Sequence, residues 1–189
     1  MQPTVVLDSL RRRVAAMHSL YFDAVATMNL DQVNFVERKP VLPIAFSLFH
    51  QAQLEDTAVI MLGGPGPIWN DDWSARLNLG VEDHGKHKTV DEMVEQRIGN
   101  YESFQDYQRA VFTQTESWLA SVTADDLVRV VVPRPLPPQL ASTFSARVAS
   151  EDGITVLDGI ECWIYQHGLR HMGEIEHARA LVGLEGMTS

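Results

Sequence analysis

Apolar side chains recur at every third or fourth position along four stretches of the chain, and this spacing is the main signal in the sequence. An α-helix turns once every ~3.6 residues, so positions spaced in this way lie on one face of a helix. The first stretch carries one continuous apolar stripe, formed by Leu7, Leu10, Val14, Met17, Tyr21, Ala24 and Met28. The pattern therefore predicts an amphipathic helix near the N-terminus.

The second and third stretches predict two further helices. The second covers residues 44–62, and its stripe consists of His50, Leu54, Ala58 and Met61. The third opens on Thr89 and Glu92, which have the spacing of a capping box, where two side chains satisfy free backbone N–H groups at a helix start. The pattern predicts that this helix continues through Val94, Ile98, Tyr101, Phe104, Val111, Thr115, Trp118 and Val122.

The fourth stretch covers residues 158–182, and Gly183 is the residue expected to end the helix. Its predicted inward stripe consists of Ile160, Ile164, His167, His171, Glu174, Ala178 and Val182. Two imidazoles and one carboxylate thus occupy positions that an ordinary helix bundle fills with Leu or Ile. This stripe is where we expect the chemistry of the protein.

Four long amphipathic segments without a strong strand pattern predict an all-α protein, a four-helix bundle formed by one domain over residues 1–189. Two connections, residues 63–88 and 123–157, are unusually long, and loops of this length tend to cover functional sites or to cross over the bundle. The first connection has room for a short helix within residues 69–79. In the second, residues 127–132 are strand-like, and the prolines at 133, 135, 137 and 138 favour an extended chain without helix.

Charge and composition exclude several classes of function. Acidic residues outnumber basic ones by 25 to 15, for a formal net charge of −10, whereas proteins that bind nucleic acids rely on clustered Lys and Arg. We therefore expect no nucleic-acid partner, and we interpret the arginines 11–13 as a solvated helix face. No apolar run reaches the roughly 20 residues of a membrane span, and the N-terminus lacks the order of a secretory signal. With Cys162 as the single cysteine, these features predict a cytoplasmic protein without membrane contact or internal disulfide.

Three histidines form the strongest chemical signal. His167 and His171 are four positions apart, so their rings can converge on one point, as they do in helical zinc sites. His50 lies on the stripe of another predicted helix. Buried imidazoles need partners for their nitrogens, and one divalent cation satisfies all three rings at once. We therefore predict a metal site on these histidines, with a coordination position left open for water or a substrate.

Glu174 lies one turn beyond His171 on the same predicted face. Three site roles stay open for this carboxylate: hydrogen-bond acceptor for a ligand histidine, fourth metal ligand, or catalytic acid and base. The alternative is a surface ion pair with Arg170, four positions before it.

The remaining histidines and the cysteine receive structural interpretations. His84 and His87 lie in a polar sequence and are expected in a solvated loop. We expect His18 and His177 to be structural or exposed, and Cys162 to be a buried, unreactive thiol.

Three segments of the chain, residues 46–51, 118–127 and 167–175, carry a resemblance to a known family. With His50 in the first segment and the pattern HxxxHxxE in the last, the sequence resembles the DinB-like superfamily, which includes thiol-dependent S-transferases and mycothiol-dependent maleylpyruvate isomerases. The resemblance covers essentially the whole chain. It implies an up-up-down-down four-helix bundle, a metal ion on the three matching histidines, and frequent homodimers. Because the isomerases carry an additional C-terminal domain, we expect this chain to be similar to the short, single-domain members.

These observations lead to one predicted function and two alternatives. We predict a metal-dependent transferase that conjugates a low-molecular-weight thiol, such as mycothiol, to a small electrophile, with Zn or Ni as the metal and Glu174 as the catalytic group. The physical reason is that a divalent ion lowers the pKa of a bound thiol. The alternatives are a hydrolase that uses metal-bound water and a non-catalytic module that binds a metal or another ligand.

Overall fold

The computed structural model describes residues 3–85 and 88–186, and these residues are mostly helical. The helices are α1 (Pro3–Ala26), α2 (Leu30–Val33), α3 (Ile44–Met61), α4 (Asp71–Leu77), α5 (Val90–Met93), α6 (Tyr101–Ser121), α7 (Pro138–Ala141), α8 (Phe144–Val148), α9 (Val156–Gly159) and α10 (Gln166–Leu181). A π-helical segment (Ile160–Tyr165) joins α9 to α10, so these three pieces form one long helix. A 3-10 turn (Asp126–Val128) precedes strand β1 (Val130–Pro133), which pairs antiparallel with β2 (Gly153–Thr155). The predicted helical class is confirmed, with this small sheet as an addition. Within the described ranges, no helix has the length and apolar character needed to cross a membrane.

The long helices pack around a shared apolar core. Helices α1 and α3 each contact both α6 and the long helix that ends with α10. All members of the predicted stripe on α1 are buried, as the spacing requires. Burial of each large apolar side chain in such a core contributes roughly 1.5–3 kcal/mol, so this stripe holds α1 against its neighbours.

Helix α3 is buried on nearly all sides, which differs from the amphipathic helix that we predicted. Residues such as Phe49 and Val59 face the apolar core. The predicted stripe instead faces a cavity. On that stripe, His50 and Ala58 are buried, but Met61 is 46% exposed. The stripe lines a cavity, as described below, and this explains why apolar residues and a histidine share it.

The third predicted helix is interrupted. The capping box of Thr89 and Glu92 is present, but it starts only the short helix α5, and α6 begins again after the N-cap Asn100. Residues 94–100 leave the helix because their backbone pairs with other segments. The N–H of Ile98 donates to the side chain of Asn34 at 2.9 Å, and the N–H of Gly99 donates to a carbonyl in α4 at 3.1 Å.

We expected the proline-rich connection to be extended, but part of it is helical. The strand-like run forms β1, but the short helices α7 and α8 follow it. Pro138 occupies the first position of α7, where the missing N–H costs nothing because the first N–H groups of a helix have no intrahelical partner. The short helix predicted within residues 69–79 is confirmed as α4.

Of the three arginines near the N-terminus, Arg12 is exposed, as predicted, but Arg11 and Arg13 do not form a free solvated face. Arg11 donates to the carbonyls of Leu119, Ala120 and Val122, at 2.9–3.0 Å, and so satisfies the C-terminal end of α6. Arg13 pairs with Glu161 at 2.6 Å.

The fourth helix follows its predicted stripe only as far as the second histidine. Ile160, Ile164, His167 and His171 are buried, but Glu174 is half exposed. Beyond His171 the buried residues are Met172, Ile175 and Arg179. The buried face shifts because the guanidinium of Arg179 reaches into the interior, where it donates to the hydroxyl of Thr27 at 2.9 Å. Gly183 follows the helix with a φ of 78°, as expected for a residue that ends it.

Candidate metal centre

The structure brings the three predicted histidines together between α3 and α10. One nitrogen from each of His50, His167 and His171 lies within 4.8 Å of the others. The ring centroids are 4.5 Å apart for His167 and His171, and 4.8 and 5.2 Å from these two rings to His50. All three side chains are at least nine-tenths buried. The sequence prediction of a cluster is therefore confirmed in its geometry.

In each of the three rings, Nδ1 faces a hydrogen-bond acceptor. Nδ1 of His171 lies 2.7 Å from the carboxylate of Glu174, and Nδ1 of His167 lies 2.7 Å from Oε1 of Gln51. Nδ1 of His50 faces the backbone carbonyl of His84 in a short contact. A neutral imidazole that donates from Nδ1 has an unprotonated Nε2. The surroundings therefore leave Nε2 as the nitrogen of each ring that is available to a metal ion.

The two histidines of α10 show why this centre suits a cation. Their Nε2 atoms lie 3.2 Å apart, and two lone pairs at that distance repel each other unless a proton or a cation lies between them. Burial, the largest effect, lowers the pKa of His50 to about 4, although the carbonyl of His84 acts in the opposite direction. His50 is therefore neutral at neutral pH, which is the form that binds a metal. Three imidazoles could hold Zn, Ni, Fe or Cu.

A tight turn places the carbonyl that contacts His50. The N–H of Gly85 donates to the side chain of Asp83 at 2.6 Å, and Gly85 has a φ of 78°. A Cβ at Gly85 would lie 2.7 Å from the ring of Phe46, so both its conformation and its space favour glycine. The ring of His84 also lines the cavity beside the site. His84 thus lies in a loop, as predicted, but it is only partly exposed and contacts the site. His87 lies outside the described residues.

Glu174 is placed as a hydrogen-bond acceptor beside the histidines. Its Oε2 accepts from Nδ1 of His171 and from the hydroxyl of Ser47, at 2.7 and 2.9 Å. Burial raises the pKa of Glu174, but the hydrogen bonds and charge of its neighbours outweigh this, so the net shift is downward. An ionised carboxylate in this position keeps a proton on Nδ1 of His171. Of the roles that the sequence left open, acceptor for a ligand histidine agrees best with these contacts.

A cavity of about 500 Å³ opens beside the histidines. Its walls are formed by α3 (His50, Leu54, Thr57, Ala58, Met61), by His84, by residues of α7, α8 and the link between them (Leu140, Ser142, Thr143, Phe144, Ser145), and by the fourth helix (Cys162, Trp163, Gln166, His167, Arg170). Part of the second long connection thus lines the cavity, as we expected for a loop of this length. No Asp or Glu of the described chain belongs to this lining, although the protein is acidic as a whole.

Comparison with known proteins supports the architecture. The fold is shared with a conserved protein from Enterococcus faecalis. The two chains are 18% identical, align with a TM-score of 0.73, and overlap over 93% of this chain and 95% of the other. At this level of identity the similarity concerns the fold alone. No protein-family model matches the sequence, and no curated protein matches it.

His177 and Cys162, for which we predicted no role in the site, lie where we expected them. His177 is exposed on α10, as expected. Cys162 is buried against the cavity, and burial raises the pKa of its thiol to about 11. The thiol is therefore protonated at neutral pH, in agreement with an unreactive cysteine.

Several residues that matter to the site were missed by sequence reasoning. Gln51 directly follows His50, and Glu55 lies one turn further along α3. Their i,i+4 spacing was visible in the sequence. His18 is fully buried against Glu55, which its polar character concealed. For the carbonyl of His84 no signal exists in the sequence, because only the path of a long loop brings it to His50.

Proposed function

We propose that this protein is a divalent-metal-binding member of the DinB-like superfamily, with the up-up-down-down four-helix arrangement of that group. We propose further that it transfers a low-molecular-weight thiol to a small electrophile. The motifs in residues 46–51, 118–127 and 167–175 support the family assignment. The homodimer and the small-molecule substrate that the resemblance implies belong to the same proposal.

One observation carries the metal-binding part. The Nδ1 atoms of His50, His167 and His171 all face acceptors, and one nitrogen of each ring lies within 4.8 Å of the others. Surface histidines that met by chance would not share this arrangement. Histidines that bind metals commonly donate their second ring nitrogen to a carboxylate or a backbone carbonyl, the kinds of partner that His171 and His50 have here. Zn or Ni is the ion that we expect, because neutral imidazoles are borderline ligands.

The cavity supports the transferase part of the proposal. Three protein ligands leave a coordination position free for a bound molecule, and the cavity supplies about 500 Å³ next to it. A bound divalent ion would lower the pKa of a thiol in that position. Cys162, the only cysteine, has a pKa raised to about 11 and does not supply thiolate itself. A thiol from solution, such as mycothiol, is therefore the nucleophile that this site suits.

Residues around the histidines would hold the site in place for this reaction. Glu174 and Ser47 orient the ring of His171, and the turn at Gly85 presents the carbonyl that orients His50. Arg170 lines the cavity, and the carboxylate whose pKa its charge lowers, Glu174, does not belong to the lining. This charge favours a thiol or an electrophile that carries an anionic group.

Metal analysis and a conjugation assay test the proposal together. Protein purified without an affinity tag should contain one metal ion per chain and should conjugate an electrophile with mycothiol or bacillithiol. His167→Ala should lower metal affinity by more than about 100-fold, because even the outer partners of metal ligands contribute roughly 10–100-fold. His177→Ala is the matched control, since it removes an exposed histidine from the same helix and should change neither quantity.

The possible outcomes separate the alternatives. Wild-type protein without stoichiometric metal would contradict the metal site itself. Metal-dependent cleavage of esters or amides without added thiol would replace the transferase with a hydrolase. Stoichiometric metal without turnover across a broad panel of electrophiles would leave a non-catalytic binding module.

A further inference from the structure

A chain of hydrogen-bonded polar side chains leads from the candidate metal site through the protein interior to Glu116 at the surface. Nδ1 of His167 lies 2.7 Å from Oε1 of Gln51, and Nε2 of Gln51 lies 3.0 Å from Oε2 of Glu55. Oε1 of Glu55 lies 2.9 Å from Nε2 of His18, whose Nδ1 lies 2.7 Å from Glu116. The chain thus joins α10, α3, α1 and α6, and only its last member is substantially exposed.

The middle of this chain is fully removed from solvent. Gln51, Glu55 and His18 are all 0% exposed, and the ring of His18 stacks on Phe112 with centroids 3.9 Å apart. Burying a carboxylate and an imidazole is unfavourable unless each polar atom is satisfied. An apolar pair of similar volume would commonly serve stability as well or better. The presence of Glu55 and His18 in the core therefore calls for a role other than stability.

Glu55 determines which group donates and which accepts in each hydrogen bond between it and His167. A carboxylate only accepts hydrogen bonds, so Glu55 requires donors on both sides. Gln51 must turn its amide N–H₂ toward Glu55, and this turns its carbonyl oxygen toward His167. Nδ1 of His167 must then carry a proton, which leaves Nε2 unprotonated at the centre of the histidine cluster.

His18 reinforces this direction from the other side. Both of its ring nitrogens face carboxylates, so both donate when the ring is a cation. Burial lowers the pKa of His18, but Glu55 and Glu116 together outweigh burial and the net shift is upward. With His18 donating to Oε1 of Glu55, the Gln51 amide is the donor to Oε2.

Of the three histidines, His167 is the one whose Nδ1 partner could act as either a donor or an acceptor. His171 faces a carboxylate and His50 faces a backbone carbonyl, and these groups only accept. His167 faces an amide, which can rotate by half a turn with little change in shape. With the amide reversed, Nδ1 would accept, Nε2 would be protonated, and the ring could not bind a metal. Because the side-chain amide of Gln51 does not ionise near neutral pH, this hydrogen-bonded chain orients groups and does not conduct protons.

We propose that the buried pair of Glu55 and His18 is a positioning device for the candidate metal site. It fixes the orientation of the Gln51 amide, and through the amide it selects the tautomer of His167 with the proton on Nδ1. The effect on metal affinity rests on the proposed function, but the selection of the tautomer does not, since it concerns the metal-free protein.

The experiment separates this role from a structural one with two variants. His18→Phe combined with Glu55→Leu removes the pair but keeps a ring on Phe112 and fills the space. Because the buried amide of Gln51 loses its acceptor, thermal stability should fall modestly while the protein stays folded. Asp56→Asn alters the neighbouring buried carboxylate of α3, which accepts from the N–H groups of Ile68 and Trp69 at 2.9 and 2.8 Å. That variant should lose stability without any change at His167.

Nitrogen NMR of the metal-free proteins at mildly alkaline pH reports the tautomer of His167. We expect one tautomer, protonated on Nδ1, in the wild type and in Asp56→Asn, and a mixture of both tautomers in the double variant. Zinc titration should show an affinity that falls by roughly 10-fold in the double variant, at the lower end of the effect of outer partners of metal ligands. Asp56→Asn should keep the wild-type affinity.

Two results would overturn the proposal. One is a double variant that keeps a single Nδ1-protonated tautomer, and the other is a wild-type His167 that is protonated on Nε2, a measurement that does not depend on whether any variant folds. Wild-type protein with the expected tautomer but without zinc binding would refute the proposed function and leave the positioning device supported.

Discussion

Individual imidazole rings decide what this site can bind. Each histidine of the cluster offers Nε2 because its Nδ1 is taken by an acceptor, and the acceptors are of three kinds: the carboxylate of Glu174, the amide of Gln51 and the carbonyl of His84. A ring without such a partner would rotate or change its tautomer. The chemistry at the residue scale therefore lies as much in the partners of the histidines as in the histidines themselves.

His18 gives a prediction about the pH dependence of stability at this scale. Its folded-state pKa is raised above the ordinary value of 6.5, so its contribution is fully present below about pH 6.5 and is lost as the pH rises through the raised pKa. The free energy of unfolding of the metal-free wild type should be higher than that of His18→Gln. The difference should be largest at acidic pH and should shrink toward alkaline pH. Urea unfolding at a series of pH values measures this. A difference that grows with pH would contradict the assignment of His18 as a buried cation.

At the scale of elements, the close approach of α10 to α1 and α3 holds the site together. Gly168, next to His167, is the contact point: its carbonyl accepts from the hydroxyl of Tyr21 at 2.8 Å. A Cβ there would lie 2.2 Å from the sulfur of Met17 and 3.1 Å from the amide nitrogen of Gln51. The π-helical segment that precedes α10 belongs to the same helix, and such segments are frequent at functional sites.

Substitution of this glycine tests the packing. Gly168→Ala should lower the free energy of unfolding by about 1–3 kcal/mol through overpacking, although alanine favours a helix by about 1 kcal/mol over glycine. It should also weaken metal binding, because it displaces Gln51. Gly173→Ala on the same helix is the control, since a Cβ there meets nothing within 4 Å, and it should raise stability by up to about 1 kcal/mol. Thermal unfolding of both variants decides the matter, and equal effects of the two would show that the contact at Gly168 is unimportant.

At the scale of the whole molecule, the site belongs to no single helix. Its three histidines come from α3 and α10, the carbonyl partner of His50 comes from the first long connection, and one wall of the cavity comes from α7 and α8 in the second. Both long connections thus converge on the same end of the core. The long loops of this chain serve the site, which agrees with the expectation for loops of this length.

Because the ligands come from two separate helices, metal binding should stabilise the whole fold. A metal that binds only the folded protein adds about 2.7 kcal/mol at a concentration 100 times its Kd, which corresponds to roughly 5–10 °C in Tm for a chain of this size. Saturating zinc should raise the Tm of the wild type by this amount. His50→Ala should abolish the increase and His177→Ala should preserve it, as differential scanning calorimetry will show. An equal increase in wild type and His50→Ala would place the metal elsewhere.

Much of this protein was determined by the sequence itself. The stripe of α1, the capping box at Thr89, the start and end of the fourth helix and the cluster of three histidines all follow from local rules, since helical periodicity and capping depend on neighbours within a turn or two. The two histidines of α10 were visible because four residues make one turn. His50 was visible because it replaced an apolar residue in a stripe.

Tertiary structure decided the rest. The break between α5 and α6 arises from backbone bonds to residues as distant as Asn34. The contact of His84 with His50 and the pairing of His18 with Glu55 join segments 34 and 37 residues apart. Such contacts depend on where whole helices and loops settle, which local propensity does not encode. The sequence therefore indicated which rings would meet, while only the folded chain determined which nitrogen of each ring faces the centre.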